Sequence, residues 1–234
     1  VTAISNDYLK WAAQFHSNQK KTKSFFLAID FDDIQKKIDF YRKSEEKNLD
    51  DKLNLIYAGS LASSYDIPSI VKAAISLEDK YPGKTEFIIT GKGPQEKVIK
   101  EGQKKTSNIK YLGWVSREEL FEQYAKADLG LIQHKNSLTQ TITYKFFNYM
   151  SAGLPLLNSL QSEMATMIDD YKLGLNNPEQ DVDKLVHNIE KYLNKPDLLK
   201  KHRSNALSFT AKYGDGKVVY NKLVNFLEEV AKES

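Results

Sequence analysis

Lys145 carries the clearest chemical signature in the chain. It stands in the first turn of a helix expected within the stretch 141–157, TITYKFFNYMSAGLPLL. The helix dipole disfavours a cation there unless an anion lies in front of it. A phosphate would supply that anion; the alternative is a lysine pointing into solvent from an ordinary helix. Thr139, Thr141 and Thr143 place hydroxyls and backbone amides beside it, which suits the same anion, although plain N-capping would need only one of them. His134 and Gln133 close the apolar run just before this loop. A histidine so placed serves either as a structural hydrogen-bonding group or as a ligand contact, and less readily as a general base.

Gly59, Gly91 and Gly113 each follow an apolar run. Lacking a Cβ, a glycine lets the backbone turn sharply or approach a ligand closely. One such glycine is weak evidence, but three in register at one sheet edge, with Lys92 between Gly91 and Gly93, describe an edge suited to a nucleotide. The dinucleotide fingerprint is absent, because Gly91-Lys92-Gly93 lacks its third glycine, and no P-loop pattern occurs. Trp114, next to Gly113, could stack beside a base or cover the edge of the core. Asp30-Phe31-Asp32 and Asp181-Val182-Asp183 have a spacing that can chelate a divalent metal, but neither falls at that edge and no metal is expected. Phe146, Phe147 and Tyr149 read as core positions at helical spacing.

These residues need a scaffold that brings several strand ends together. The chain has 234 residues with 41% hydrophobic content, enough for one full domain and additional elements. Its 34 Lys and Arg against 31 Asp and Glu give a net charge of +3 with the signs interleaved, so nucleic acid is not implied. There is no cysteine, which removes disulfides, thiolate nucleophiles and Cys-based metal sites. No apolar run approaches the roughly 20 residues of a membrane span, no signal-peptide pattern opens the chain, and a cytoplasmic location is the expectation.

Residues 1–5 alternate like a strand, and Ser5 or Asn6 can cap a following helix bearing Tyr8, Trp11 and Phe15. Residues 25–29 read as a short strand and residues 32–47 as a helix ending in the charged turn RKSEEKNLDDK, the best candidate boundary. From residue 53 strands and helices alternate. Strands are expected in LNLIYAGS, TEFIITGKGP, NIKYLGWV, ADLGLIQ, the run after Pro155, and LGLNN. Asp66 with Pro68 starts the first intervening helix, and Ser116 with Glu119 forms a capping box for a later one. Helices over about 179–193, 196–212 and 217–232 finish the chain. The strands are near-continuous apolar runs, which predicts an α/β fold: a Rossmann-like parallel sheet of about six strands with helices on both faces. Right-handed crossovers then bring the strand ends, and the residues above, to one edge. No repeat or low-complexity segment is present.

With IYAGSL, FIITGKGP, IKYLGWVSREELFEQYAKADLGLI and KFFNYMSAGLPLLNS in place, the chain resembles the C-terminal, donor-binding half of a GT-B glycosyltransferase, specifically family 4 of the retaining enzymes. The resemblance covers about residues 53–159. It implies that residues 1–48 close an N-terminal domain and link it to a donor-nucleotide-binding domain over 49–212, and that the helix of 213–234 packs back toward the N-terminal domain. In that family the glycine after the first strand is followed by an Arg and then a Lys that bind the donor diphosphate; here Gly59 matches, Ser60 replaces the Arg, and no Lys follows in SSYDIP. Two family glutamates separated by seven intervening residues fall on Gln140 and Asn148, whose amides keep hydrogen bonding without the charge. Some members share a lysine three residues before the second of these, as Lys145 precedes Asn148.

The resemblance therefore implies a nucleotide-diphosphate-sugar donor, with the base along Gly113-Trp114-Val115, ribose at Asn148, and the diphosphate at Lys145. Ser60, Gly91, Lys92, His134, Gln140, Thr141 and Thr143 complete the expected contacts. It implies no cofactor, a glycan or lipid-linked acceptor held by the N-terminal domain, and room for peripheral membrane contact by the full-length protein. A non-catalytic homologue acting as a partner subunit, or a sugar-nucleotide epimerase of the same fold, are the competing readings.

Overall fold

The structure, a computed structural model, describes residues 1–15, 21–44, 52–135 and 141–232. A short parallel pair opens it: β1 (Thr2–Ala3) and β2 (Lys23–Ser24), with α1 (Asn6–Ala13) between them. Ser5 caps α1 by accepting a hydrogen bond from the Tyr8 amide. α2 (Phe31–Ser44) follows, and its Ile34 and Ile38 are buried in the main core.

The body of the molecule is built from β3 (Leu53–Ala58), α3 (Ile67–Lys80), β4 (Thr85–Thr90), α4 (Glu96–Gln103), β5 (Ile109–Gly113), α5 (Arg117–Lys126), β6 (Leu129–Ile132), α6 (Tyr144–Ser151), β7 (Leu156–Asn158), α7 (Glu163–Tyr171) and β8 (Gly174–Asn176). The six strands form one sheet in the order β5-β4-β3-β6-β7-β8, and every neighbouring pair is parallel. The strand order reverses between β3 and β6, which is the topological switch point of an open sheet. Three helices complete the chain: α8 (Val182–Asn194), α9 (Pro196–Tyr213) and α10 (Gly216–Lys232).

Alternation along the strands explains why both faces are covered. Successive side chains point to opposite faces. Leu55, Tyr57, Phe87, Ile89, Leu131 and Leu157 enter one core with side chains of α3, α4 and α8. Ile56, Ala58, Ile88, Ile132 and Leu156 enter the other, with α2, α5, α6, α7 and α9. Both sets are apolar, so the strands read as continuous hydrophobic runs, as expected for a buried parallel sheet.

The helix starts follow their caps. The Asp66 carboxylate accepts from the Ser69 amide ahead of α3, and Ser116 and Glu119 make the reciprocal pair expected of a capping box at α5. α8 begins at Val182, a few residues later than the periodicity predicts, because Asp181 caps it by accepting from the Lys184 amide at 2.8 Å. Residues 25–29 do not form the expected strand. Phe25 donates its amide to Ala3 and Ile29 donates to Gly214, so their backbone bonds go to two separate segments and no ladder develops, while Phe26, Leu27 and Ile29 pack on the core. The charged turn expected to mark a boundary lies largely outside the described residues. Among the described residues no helix is long and apolar enough to cross a membrane.

Candidate functional site

α6 positions the site. Its N-terminus lies beside the ends of β3 and β6, at the switch point. Phe146, Phe147, Tyr149 and Met150 face the core, and the Ala58 amide at the end of β3 donates 2.8 Å to the Tyr149 hydroxyl, tying helix to strand. Gly153, at φ 70°, ends the helix. Cations sit where the dipole favours them at that end: Arg42 donates to the Ala152 carbonyl at 3.0 Å and Arg203 to the Gly153 carbonyl at 3.2 Å.

At the other end Lys145 is the anomaly that its position in the sequence suggests. Its side chain runs across Gly59: a Cβ there would lie 2.7 Å from Lys145 Cε and 3.0 Å from Nζ. The ammonium rests 3.9 Å from the ring centre of Tyr65 and 5.0 Å from that of Tyr57. No acid or hydrogen-bond acceptor among the described residues pairs with it, and burial pushes its pKa down to about 8. Lys145 is half-buried, and an ammonium drawn partly out of water without a counter-ion costs free energy unless something compensates it.

Other unsatisfied groups gather around it. His134 is 1% exposed, and neither ring nitrogen has a partner among the described residues. Its ring stands 4.7 Å from that of Tyr65, and burial, reinforced by repulsion from Lys145, lowers its pKa to about 4. His134 is therefore neutral at physiological pH. Its backbone is anchored, with the amide donating to Ser159 Oγ at 2.8 Å. Thr143 occupies the N-cap position of α6, yet its hydroxyl makes no capping bond and is buried without a partner among the described residues. Asn148 lies one turn along the helix from Lys145, half-buried, and its carbonyl receives the Ser151 hydroxyl and the Ala152 amide.

The glycine edge is knit to itself. Gly59 donates its amide to Thr90, Gly91 donates to Gly113, and the Thr90 hydroxyl also donates to Gly113. A Cβ on Gly91, which sits at φ 137°, would meet the Gly59 carbonyl oxygen at 1.8 Å. The missing side chain there serves a close approach of two loops rather than a direct approach to a ligand. Trp114 is 68% exposed, so it does not cover the core edge, and its face is free to stack. Val115 beside it is half-buried and Lys92 is exposed.

Not every expected residue joins the cluster. Thr141 donates its hydroxyl to Ser5 Oγ at 2.8 Å and receives Ser162 on its carbonyl, so it ties the loop to the segment before α1. The Ser60 hydroxyl accepts from the Ala62 amide at 3.2 Å within its own turn. Gln133 is spent on a buried amide pair, donating to the Leu157 carbonyl at 2.9 Å and exchanging bonds with Asn177. Thr139 and Gln140 lie outside the described residues. Of the Asp-x-Asp pairs, Asp32 holds Lys217 at 2.6 Å, Asp30 accepts from the Asp33 amide, and Asp181 caps α8. Tyr57 and Tyr65 went unrecognised in the sequence, where one reads as a strand residue and the other as a loop residue; a tyrosine immediately before the Asp66 cap is the only local signal.

Residues 52–195 match the family model described as glycosyl transferases group 1. The UDP-glycosyltransferase TURAN of Arabidopsis thaliana is 30% identical over 107 residues, which are 44% of this chain and 23% of that protein. Among solved structures, Anabaena Alr3699/HepE in complex with UDP superposes with a TM-score of 0.77 at 14% identity, covering 98% of this chain and 63% of that one. Sucrose-phosphate synthase from Thermosynechococcus elongatus gives 0.76 at 16% identity, covering 100% and 59%. The chain thus spans less than two thirds of each of these relatives.

Proposed function

The chain belongs to the group 1 glycosyl transferases and has the Rossmann-like architecture of one half of a GT-B fold; from that premise we propose that it is the donor-binding part of a retaining glycosyltransferase. The donor is a nucleotide diphosphate sugar, moved to a glycan or lipid-linked acceptor. The observation that carries this reading is Lys145: a half-buried ammonium at the switch point, without a counter-ion among the described residues, beside a helix N-terminus.

In this reading Lys145 and the amides opening α6 receive the diphosphate and stabilise its charge as the sugar leaves. The neutral His134 and the Thr143 hydroxyl supply hydrogen bonds to the phosphates or the sugar, Asn148 contacts ribose, and the base lies along Gly113, Trp114 and Val115. Ser60, Gly59, Gly91 and Lys92 shape the floor and rim, with Gln140 as a further donor contact and Thr141 holding its own segment to Ser5. Residues 49–212 form the donor domain; residues 1–48 and the helix of 213–234 connect it to an N-terminal domain that holds the acceptor, and without that domain the chain transfers no hexose. The full-length protein works in the cytoplasm, with room for peripheral contact with the membrane.

A second reading has its own support. Ser60 and Asn148 are neutral where the family carries charge, and Ser60 turns its hydroxyl into its own loop, as a non-catalytic partner subunit would tolerate. Transfer activity of the full-length parent with a panel of sugar nucleotides separates the two, since a partner subunit shows no turnover above background. The donor reading is tested by calorimetry of UDP and GDP on wild type and Lys145→Ala. A charge-assisted contact is worth about 1.5–3 kcal/mol, so the variant should bind the preferred nucleotide about tenfold to a hundredfold more weakly. Equal affinity would contradict the phosphate assignment.

A further inference from the structure

Tyr65 sits at the centre of the unsatisfied cluster without itself being one of its charged groups. Its ring lies under the Lys145 ammonium at 3.9 Å, beside the His134 ring at 4.7 Å, and edge-on to Tyr57 at 6.0 Å. Its backbone is held on three sides. The Tyr65 amide donates to Ala62, its carbonyl receives the Gln95 side chain at 2.9 Å, and it bridges to His134 at the end of β6. The neighbouring residues are also clamped to β6: the Asp66 amide donates to Gln133 and the Lys135 amide to Ser64. The backbone that carries the ring is therefore anchored independently of any ligand.

We infer that Tyr65 is the positioning residue for Lys145, holding the ammonium over Gly59 through the face of its ring so that the charge stays oriented yet uncompensated for an incoming diphosphate. The physical reasoning is a comparison of possible partners. A lysine side chain has many rotamers to lose, so a free Lys145 would spend part of its binding energy on being ordered. A carboxylate could order it, but would neutralise the charge and compete with the phosphate. An aromatic face orders the cation by its quadrupole and leaves its N–H donors available. Tyr57 closes the second side at 5.0 Å. The inference rests on the assignment of Lys145 to the diphosphate.

The test replaces the ring electronically rather than sterically. UDP and uridine are titrated into Tyr65→Phe and Tyr65→pentafluorophenylalanine, with Lys145→Ala in the Tyr65→Phe background as the third arm; uridine is measured by competition. Fluorination keeps the ring shape and packing but removes the attractive face. The expected result is UDP affinity within about twofold of wild type for Tyr65→Phe, a loss of about threefold to tenfold on fluorination, and unchanged uridine affinity. Equal UDP affinity for the two rings, or a parallel loss for UDP and uridine, overturns the positioning role. If Lys145→Ala itself leaves UDP affinity unchanged, the diphosphate assignment fails first, and the inference with it. Thermal melting of each variant establishes that the fold is retained.

Discussion

Among the residues of the site, Lys145 and His134 have opposite fates in one environment. Burial lowers both pKa values, leaving a lysine near 8 that is still largely charged at neutral pH and a histidine near 4 that is not. The site thus presents one cation and one neutral imidazole rather than two repelling charges. A consequence for stability follows with a definite sign. The folded-state pKa of His134 lies below its ordinary value of 6.5, so the unfolded chain binds its proton more readily. The contribution to stability is complete above about pH 6.5 and is lost as pH falls through 6.5 toward 4. Between pH 7.5 and 4.5 this amounts to about 2–3 kcal/mol. Urea unfolding of wild type and His134→Asn at the two pH values should differ by that amount in their acid loss; identical losses would mean that His134 is not buried neutral.

At the level of elements, the loops at the ends of β3, β4 and β5 behave as one layer. Gly91 shows it most sharply, since a single added Cβ would strike the Gly59 carbonyl at 1.8 Å in a backbone conformation, φ 137°, that other residues rarely adopt. Gly91→Ala should cost about 3 kcal/mol or more, from backbone strain together with overpacking, and should weaken UDP binding by moving Gly59 beneath Lys145. A loss under about 1 kcal/mol in urea unfolding would show that the loops adjust independently. Much at this scale was legible in the sequence: α3 and α5 begin where their caps stand, because capping is a local interaction. The stretch 25–29 was not legible, because its hydrogen bonds go to Ala3 and Gly214, and no local pattern encodes partners so far apart. Tyr65 was missed for the same reason. Its importance comes from Lys145 and His134, both distant along the chain, and a tyrosine in a loop looks like any other.

For the whole molecule, alternation of apolar runs and helical stripes predicts six parallel strands covered on both faces, and that is what forms. The placement of the candidate site followed from topology as well, since an open parallel sheet gathers its strand ends at one edge and offers a crevice where the order reverses. What topology does not decide is which of the gathered residues are free. Gln133, Ser60 and Thr141 reach that edge but are engaged with protein partners. Among the described residues, His134 and Thr143 keep buried polar atoms without a partner, and the half-buried Lys145 ammonium has no counter-ion.

That difference leads to the most direct test of the central claim, that Lys145 waits for an anion. Near pH 8 about half of the free protein should hold Lys145 unprotonated, whereas a bound diphosphate favours the ammonium. Calorimetry of UDP binding at pH 8 in buffers of different ionisation enthalpy measures the proton exchange. The account predicts net uptake of about half a proton by wild type, absent in Lys145→Ala, with wild-type affinity falling as pH rises beyond 8. Binding without proton uptake, and with the same affinity in both proteins, would contradict it.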